Sequence, residues 1–250
     1  MLAPAWPAPP GVRAACSTRA GGVSLAPYDS LNLGDHVGDD AAAVAENRRR
    51  FGAALGARPV FLKQVHGTGV VRLEPGCVDG TEADACWTTE RGLACTMMVA
   101  DCLPVLLADR AGTMVGAAHC GWRGLAGLQG QGVLEALVAA MQAAAGPAAQ
   151  WLAWLGPCIG PTAFEVGPEV RAAFVDGDAR AAACFRPHAR AKFLADLPAL
   201  ARLRLQALGI TAISGNDGGA AWCTVADASR FFSHRRDRVS GRFAAATWLA

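Results

Sequence analysis

Two histidines, a cysteine and an aspartate interrupt short apolar runs of this sequence and are the residues best suited to chemistry. They lie in LKQVHG (His66), VADCLPVLL (Asp101 and Cys102) and AAHCGWRG (His119). A buried charge is costly unless it is paired or bound to a cation, so a strand that only fills a core would not contain Asp101. Two imidazoles and one thiolate are a natural ligand set for Zn²⁺, with a fourth position open for water or substrate. One hypothesis is therefore a catalytic zinc site formed by His66, Cys102 and His119.

The same residues have other interpretations, and their spacing alone does not decide between them. His66 could be a hydrogen-bonded turn residue, Cys102 an inert core thiol and His119 a cap at a strand-to-helix turn, because gaps of this length are no zinc signature. Cys120 is a rival sulfur ligand, although the alternation of side chains along a strand would direct it to the core. Without a metal, Cys102 could be the nucleophile of a hydrolase or deamidase, with His119 as its base. A noncatalytic binding protein is the remaining class.

Short strands and two amphipathic helices must position these residues. Apolar runs between glycine, proline and aspartate predict strands at 60–65, 70–73, 93–99, 104–108, 113–119, in QWLAWLG and at 210–214. Apolar residues at helical spacing predict helices over 124–145 and 194–208. The two imidazoles and the thiol then stand where strands end, and three strand ends can converge on one cleft. No repeat or linker divides the chain, so we expect one α+β domain over residues 1–250, a layered α/β sandwich with mixed sheets and a loose N-terminal segment over 1–10.

Composition excludes several classes of function. The 250 residues carry a formal net charge of only +2, with the charges dispersed, which argues against a nucleic-acid or membrane surface. No window reaches the roughly 18 uninterrupted apolar residues of a spanning helix, and the N-terminus lacks the regions of a secretory signal. The nine cysteines, an odd number without C-x-x-C spacing, suit reduced thiols in a cytosol. We therefore expect a cytoplasmic protein that acts on a small molecule.

Seven motifs between about Ser17 and Trp248 resemble the YfiH-type laccase-domain family. They are STRAGGVS, YDSLNLGDHVGDD, KQVHG, ADCLPVLL, AAHCGWRGL, GPCIGPTAFEVG and FFSHRRD. The resemblance implies a YfiH-like fold and a zinc ion held by His66, Cys102 and His119. It implies a purine nucleoside phosphorylase for adenosine, inosine, guanosine or methylthioadenosine, with added adenosine deaminase activity. In bacteria, members of this family are also described as peptidoglycan editing factors.

An older name of that family, multicopper polyphenol oxidase, can be tested by counting histidines. Such an oxidase needs a blue-copper site and a trinuclear cluster, in total about ten imidazoles. This chain has five histidines. We therefore expect no multicopper centre, and copper only as a non-native occupant of the His/His/Cys site, because Cu²⁺ binds N and S ligands more strongly than Zn²⁺ does.

The family activity suggests roles for further residues, each with a structural alternative. Arg123 could hold phosphate in fork geometry beside glycine N–H groups, since a helix N-terminus disfavours a cation unless an anion is bound nearby. Gln64, two residues before His66, could hydrogen-bond a base or be a satisfied strand residue. Arg19 resembles a residue of a loop folded over the cleft, although an arginine in a glycine-rich loop is usually solvated.

Two further features, one acidic residue and one basic motif, complete the candidate site. Asp101 could be a catalytic carboxylate beside the zinc thiolate, in which case hydrogen bonds or the cation would offset its charge. Alternatively, Asp101 could cap the turn before Pro104. The motif FSHRRD could admit an anionic substrate or form a solvated face of salt bridges through His234, Arg235 and Arg236. We therefore expect catalysis to use Asp101 and Arg123 together with the three metal ligands, and substrate binding to use Gln64, Arg19 and Arg123.

Overall fold

The computed structural model describes residues 1–250 and contains thirteen strands and six α-helices. The strands are β1 (Val12–Cys16), β2 (Arg58–Phe61), β3 (Val70–Arg72), β4 (Ala85–Thr88), β5 (Leu93–Val99), β6 (Leu103–Asp109), β7 (Val115–Cys120), β8 (Trp151–Leu155), β9 (Glu165–Val166), β10 (Phe185–Pro187), β11 (Phe193–Ala195), β12 (Ala212–Gly215) and β13 (Phe243–Leu249). The helices are α1 (Ala41–Leu55), α2 (Trp122–Ala126), α3 (Val133–Ala145), α4 (Pro168–Val175), α5 (Leu197–Ala207) and α6 (His234–Asp237). Short 3₁₀ turns cover Ala179–Cys184, Ala189–Ala191 and Ala220–Trp222.

Three sheets form the β-structure, and two of them are stacked. One sheet has the order β1-β13-β5-β2, and a six-stranded sheet has the order β12-β8-β6-β7-β4-β3. A small third sheet has the order β10-β11-β9. Both large sheets contain parallel and antiparallel pairs, for example β2 with β5 and β13 with β5. The mixed sheets and the α+β sandwich that the sequence predicted are therefore present.

Three hydrophobic cores hold four layers together. One core lies between α1 and the four-stranded sheet, and a second lies between the two large sheets. The third and largest covers the outer face of the six-stranded sheet with α3, α5 and the small sheet. Both large sheets are thus buried on both faces. Their strands consequently have near-continuous apolar sequences rather than an alternating pattern.

Strand β5 shows how its side chains divide between two cores. Cys95, Met97 and Val99 pack between the sheets. Ala94 and Met98 point the other way, towards α1. The period-2 alternation of a strand accounts for this division.

The helix predicted over 124–145 is two helices, α2 and α3. Gly127 has φ 63°, and a Cβ there would overlap the backbone of Gln131, so the chain turns at this point. The N–H of Gly132 donates to the carboxylate of Glu135, which caps the start of α3. Leu128 in the turn is 81% exposed. The prediction of one helix was wrong because the apolar spacing continues across a glycine turn that breaks the backbone pattern.

Other predicted boundaries also need correction. The helix predicted over 194–208 begins at Leu197, because Asp196 caps the N–H of Ala199 and residues 193–195 pair as β11. β2 ends at Phe61 rather than at residue 65. Residues 1–10 were expected to be loose, but Leu2 exchanges two backbone hydrogen bonds with Cys16. Packing of Trp6 against the inter-sheet core also holds this segment.

The ends of β2, β5 and β7 lie at one end of the sandwich and define the site. β2 runs parallel to β5, and residues 100–102 cross from β5 in one large sheet to β6 in the other. The register pairs Leu103 at the start of β6 with Cys120 at the end of β7. None of the six helices combines the length and apolarity needed to cross a bilayer.

Candidate metal centre

His66, Cys102 and His119 meet at this end of the sandwich although they are far apart in the sequence. Their ligand atoms all lie within 4.8 Å of one another. Cys102 Sγ is 3.6 Å from His66 Nε2, and the two imidazole ring centroids are 4.7 Å apart. The group could therefore hold a metal ion.

The spacing of these donors agrees with tetrahedral zinc. Zn–S bonds of about 2.3 Å and Zn–N bonds of about 2.0–2.1 Å at a tetrahedral angle place the two donor atoms about 3.6 Å apart. The measured Cys102 Sγ to His66 Nε2 distance is 3.6 Å. With three protein donors, one corner stays free for water or substrate.

The positions of the three residues differ in part from the predicted strand ends. His119 lies inside β7, whereas His66 lies in a loop five residues beyond β2 and Cys102 lies in the crossover before β6. His66 has a positive φ of 62°. Cys120, the rival sulfur ligand, points to the opposite face of β7 and is buried in the largest core. Burial raises the pKa of its thiol well above the usual value, which makes it a poor ligand.

Asp84, which the sequence interpretation missed, positions two of the three candidate ligands, His66 and His119. It is fully buried immediately before β4. Its carboxylate accepts backbone N–H hydrogen bonds from Val65 (3.1 Å), His66 (2.9 Å) and Gly67 (2.7 Å). It also lies 2.8 Å from His119 Nδ1. One carboxylate thus sets the conformation of the His66 loop and the orientation of the His119 ring.

The ionisation of Asp84 determines which nitrogen of His119 can bind a metal. Burial acts to raise the pKa of Asp84, but hydrogen bonds from His119, Gly67 and Val65 outweigh it and hold the pKa below its usual value. An ionised carboxylate only accepts hydrogen bonds, so Nδ1–H of His119 donates and Nε2 is directed to the metal position. This carboxylate–histidine arrangement is common behind metal-ligating histidines.

The electrostatics of Cys102 and His119 are coupled. Burial acts to raise the pKa of the Cys102 thiol, but the charge of His119 and hydrogen bonds from His119 and His66 lower it to about 6. Burial acts to lower the pKa of His119, but Cys102 and Asp84 raise it to about 9. In the metal-free protein the pair is therefore a thiolate and an imidazolium at neutral pH. A metal would take the place of the imidazolium proton.

We expect Cys102 of the metal-free protein to be alkylated with a midpoint near pH 6. A thiol whose pKa falls from 9.0 to about 6 is a thiolate above pH 6 rather than only above pH 9, and the thiolate is the reactive form. His119→Ala removes the principal cation beside the thiolate, so the midpoint of Cys102 alkylation should shift to higher pH. Iodoacetamide labelling with peptide mass spectrometry checks this, because Cys77 and Cys184 are also partly exposed. A wild-type midpoint near pH 9 would contradict the ion pair.

Gly121, at the start of α2, leaves the space that two candidate ligands, His66 and Cys102, occupy. A Cβ at this position would lie 2.6 Å from His66 Cδ2 and 3.1 Å from Cys102 Sγ. We expect Gly121→Ala to weaken metal binding about tenfold, as displacement of a supporting group does, while the fold is retained. Competition with a chelator measures the affinity. Gly177→Ala, which adds a Cβ 3.9 Å from the nearest atom, is the matched control and should bind like the wild type. Equal affinities for the two variants would contradict the packing argument.

His66, Cys102 and His119 lie in the wall of a cavity of roughly 410 Å³. One part of its wall is apolar, and another part is cationic. The lining residues include Gln64, Asp101 and Arg123 from the predicted site, and also Trp122, Ile159, Phe164, Leu197, His36, His234, Arg235 and Arg242. Such a cavity, with polar groups at one side, has the form of a small-molecule site.

Asp101 is held by protein donors and is not one of the metal-capable residues. Its carboxylate accepts hydrogen bonds from the Thr224 hydroxyl (2.5 Å) and from the backbone N–H of Arg235 (2.6 Å) in α6. It is therefore neither a ligand nor a cap of the turn before Pro104. Its charge is tolerated through hydrogen bonds to neighbouring donors, and a catalytic role stays a prediction.

Gln64 and Arg123 line the cavity but differ in how they are held. The side chain of Gln64 donates to Met98 O (2.8 Å) and accepts from Met98 N–H (2.9 Å), so its amide ties the His66 loop to β5. Gln64 thus lies in a loop and not on the strand face that was predicted. Arg123 is exposed and stacks 4.4 Å over the ring of Trp122. Its guanidinium forms no ion pair and is free to contact a ligand.

Arg19 lies away from this cavity, beside a second, smaller pocket. Its guanidinium donates to Asp29 O (2.9 Å) and Ala228 O (3.0 Å), and it pairs with the Asp29 carboxylate. Contact with a substrate at the metal centre stays a prediction that this position does not support.

The FSHRRD cluster is divided. His234 and Arg235 line the cavity. Arg236 instead donates to the carbonyls of Thr224 and Phe231 and pairs with Asp237. The motif thus contributes two residues to the cavity wall and one to contacts within the protein, and the admission of an anionic substrate stays a prediction.

Comparison with known proteins gives consistent matches along the chain. The family model described as multi-copper polyphenol oxidoreductase laccase matches residues 13–250. A purine nucleoside phosphorylase of Pseudomonas aeruginosa is 54% identical over 99% of this chain and 98% of its own. The purine nucleoside phosphorylase YfiH of Escherichia coli (strain K12) is 50% identical over 100% of this chain and 98% of its own. A solved Neisseria meningitidis protein of family DUF152 superposes with a TM-score of 0.92 at 46% identity, covering 99% of this chain and 98% of its own.

Proposed function

The chain belongs to the YfiH-type laccase-domain family, whose model is described as multi-copper polyphenol oxidoreductase laccase, and from this we propose that it is a zinc-dependent purine nucleoside phosphorylase. Adenosine, inosine, guanosine or methylthioadenosine would react with phosphate to give the free base and the sugar 1-phosphate. The observation that carries the proposal is the metal-ligand group at the wall of a cavity of roughly 410 Å³, a volume suited to a nucleoside. Relatives named purine nucleoside phosphorylase support it. The nine free cysteines fit a reducing, cytoplasmic setting.

Phosphorolysis requires that phosphate be held beside the anomeric carbon, that the departing purine be stabilised and that water be kept out. The apolar wall formed by Trp122, Phe164 and Ile159 can stack on and desolvate the base. The cationic lining supplies donors for phosphate, and Arg123 is the residue that the sequence suggested. The cavity therefore offers a place for each reactant.

The donor set supports zinc over a multicopper centre. The structure contains one cluster of side chains that could hold a metal ion, formed by His66, Cys102 and His119. This cluster uses two of the five histidines. A trinuclear copper cluster needs further imidazoles beside the first site. Copper could occupy the three donors as a non-native ion.

The residues around the centre would orient the ion and the substrate. When bound, zinc supplies a Lewis acid and an activated water, which would also suit the proposed adenosine deaminase activity. Asp84 holds the proton of His119 on Nδ1, so that Nε2 stays available as a ligand. Gln64 keeps the His66 loop against β5.

A second candidate is a metal-free thiol hydrolase or deamidase, including one that edits a peptidoglycan precursor. The Asp84–His119–Cys102 arrangement favours it, because a base oriented by a carboxylate stands beside a thiol whose pKa is about 6. Turnover without metal, abolished by alkylation of Cys102, would distinguish this chemistry.

The test of the proposed function is a product assay with adenosine and phosphate. We expect adenine and ribose 1-phosphate from phosphorolysis and inosine from deamination, both lost after chelation of the metal. Adenosine with sulfate in place of phosphate is the control for the first reaction. Unchanged turnover in His119→Ala would contradict the role of the metal centre and favour a noncatalytic binding protein with a contaminating activity. Turnover of a cell-wall precursor but not of adenosine would favour the editing role.

A further inference from the structure

Arg242 is a half-buried cation in the cavity wall that forms no ion pair with a carboxylate. It lines the same cavity as the metal ligands and forms no ion pair with an Asp or Glu side chain. A desolvated charge costs several kcal/mol unless a counter-charge or hydrogen bonds offset that cost. Burial accordingly lowers the pKa of Arg242, and the charges of Cys102 and Asp101 oppose this shift only in part. The exposed Arg123 carries no such penalty, so the position of Arg242 is the stronger sign of an anionic ligand.

Half of the Arg242 guanidinium has no partner in the protein. Nη1 donates to Ser240 O (2.8 Å) and Gly241 O (3.0 Å). No acceptor lies on the Nε–Nη2 edge, which is the edge that binds an oxyanion with two parallel hydrogen bonds. Trp154 Nε1 is the only fully buried side-chain polar atom without a partner, so the unpaired Nε and Nη2 of Arg242, a residue of the cavity lining, keep some accessible surface.

The surrounding chain fixes Arg242 in place. Its N–H donates to Asn32 Oδ1 (2.8 Å), and its carbonyl accepts from Leu33 N–H (2.9 Å). The stem packs on Gly34, where a Cβ would lie 2.7 Å from Arg242 Cγ. The guanidinium is therefore pre-organised before any ligand binds.

His36, two residues after Gly34, contributes a second donor at the rim. It lines the cavity, and burial together with the charge of Arg242 lowers its pKa, while Asp35 acts in the opposite direction. An anion beside Arg242 would relieve the repulsion between these two groups. Asp101 is the only carboxylate of the lining, and its two oxygens already accept from Thr224 and Arg235.

We propose that Arg242, with His36 at the rim, forms the subsite that binds the phosphate group of the substrate. This inference rests on the proposed function and refines it, because it assigns phosphate recognition to Arg242 rather than to Arg123. The phosphate could be inorganic phosphate or a phosphate carried by a nucleotide. Both present a tetrahedral oxyanion to the same donors.

Calorimetric titration of the holoenzyme with inorganic phosphate and with adenosine 5′-monophosphate tests the subsite. Arg242→Gln should weaken binding of the phosphate group about 10- to 100-fold, the loss typical of a charge-assisted bidentate contact. Arg242→Lys keeps the charge and should recover part of the affinity. Gly34→Ala, which moves the side chain without removing the charge, should give a smaller loss. Arg110→Gln, on an exposed turn outside the cavity, is the control and should bind like the wild type.

The two ligands distinguish the source of the phosphate. Loss of inorganic phosphate binding in Arg242→Gln supports a free co-substrate, with a raised KM for phosphate and an unchanged KM for nucleoside. Loss of nucleotide binding alone supports a substrate-borne phosphate. Wild-type affinity for both ligands in Arg242→Gln, or a larger loss in Arg123→Gln, would overturn the proposal. If phosphate binding depends on Arg242 but no nucleoside is turned over, the result would contradict the proposed function and still support the subsite.

Discussion

Asp84→Asn is expected to lower metal affinity about 10- to 100-fold or more, the range for residues behind a ligating histidine. The carboxylate accepts from three backbone N–H groups of the His66 loop and from His119 Nδ1. An asparagine has one acceptor oxygen and an NH₂ group that would face donors of the protein. Donors left unpaired in a buried position cost about 1–3 kcal/mol each. The loop and the ring should therefore lose their orientation together.

Chelator competition measures this loss, and turnover of adenosine should fall with it. The matched control is Asp109→Asn, because Asp109 is also buried and accepts from Thr113 and Met114 N–H at the turn between β6 and β7. The control should lose stability and keep metal affinity. If Asp84→Asn bound metal like the wild type, the carboxylate would not be what positions His66 and His119.

Cys102→Ser is expected to reduce both metal content and turnover by more than about 100-fold. Removing a ligand should weaken metal binding more than removing a residue that only orients a ligand. A neutral hydroxyl replaces the thiolate that zinc favours. The side chain is half-buried at the cavity, so the fold should be retained. Metal per chain after dialysis and adenosine phosphorolysis are the two measurements.

Cys120→Ala is the informative control for this variant. Cys120 is the neighbouring sulfur on β7 but lies in the core, so its replacement should leave one metal per chain. Loss of metal in Cys120→Ala with retention in Cys102→Ser would mean that the ligands have been assigned to the wrong cysteine.

The candidate metal ligands could be singled out from the sequence because each interrupts or ends a run of apolar residues. Their spacing left the role of these residues open, and only the resemblance to the YfiH-type family implied a shared metal ion. Asp84 in EADACW meets the same criterion and could have been found by applying it consistently. The sequence could not show that one carboxylate serves both histidines, because that depends on how β4 pairs with β7.

Other features lie beyond the local pattern. Arg242 follows a loop, and nothing in the neighbouring sequence indicates that its side chain is half-buried without a carboxylate partner. Glycines at 127, 130 and 132 mark the break between α2 and α3 in the sequence. The prediction of one helix followed the apolar spacing instead of these glycines. The stacking of two mixed sheets is set by long-range strand pairing, which periodicity does not encode.

Metal analysis of protein purified without added metal, combined with alkylation of Cys102 before and after chelation, tests the metal centre most directly. The expected result is one zinc per chain and a Cys102 that reacts slowly until the chelator removes the ion. A metal-free protein with a rapidly alkylated Cys102 and undiminished turnover in the presence of chelator would contradict it.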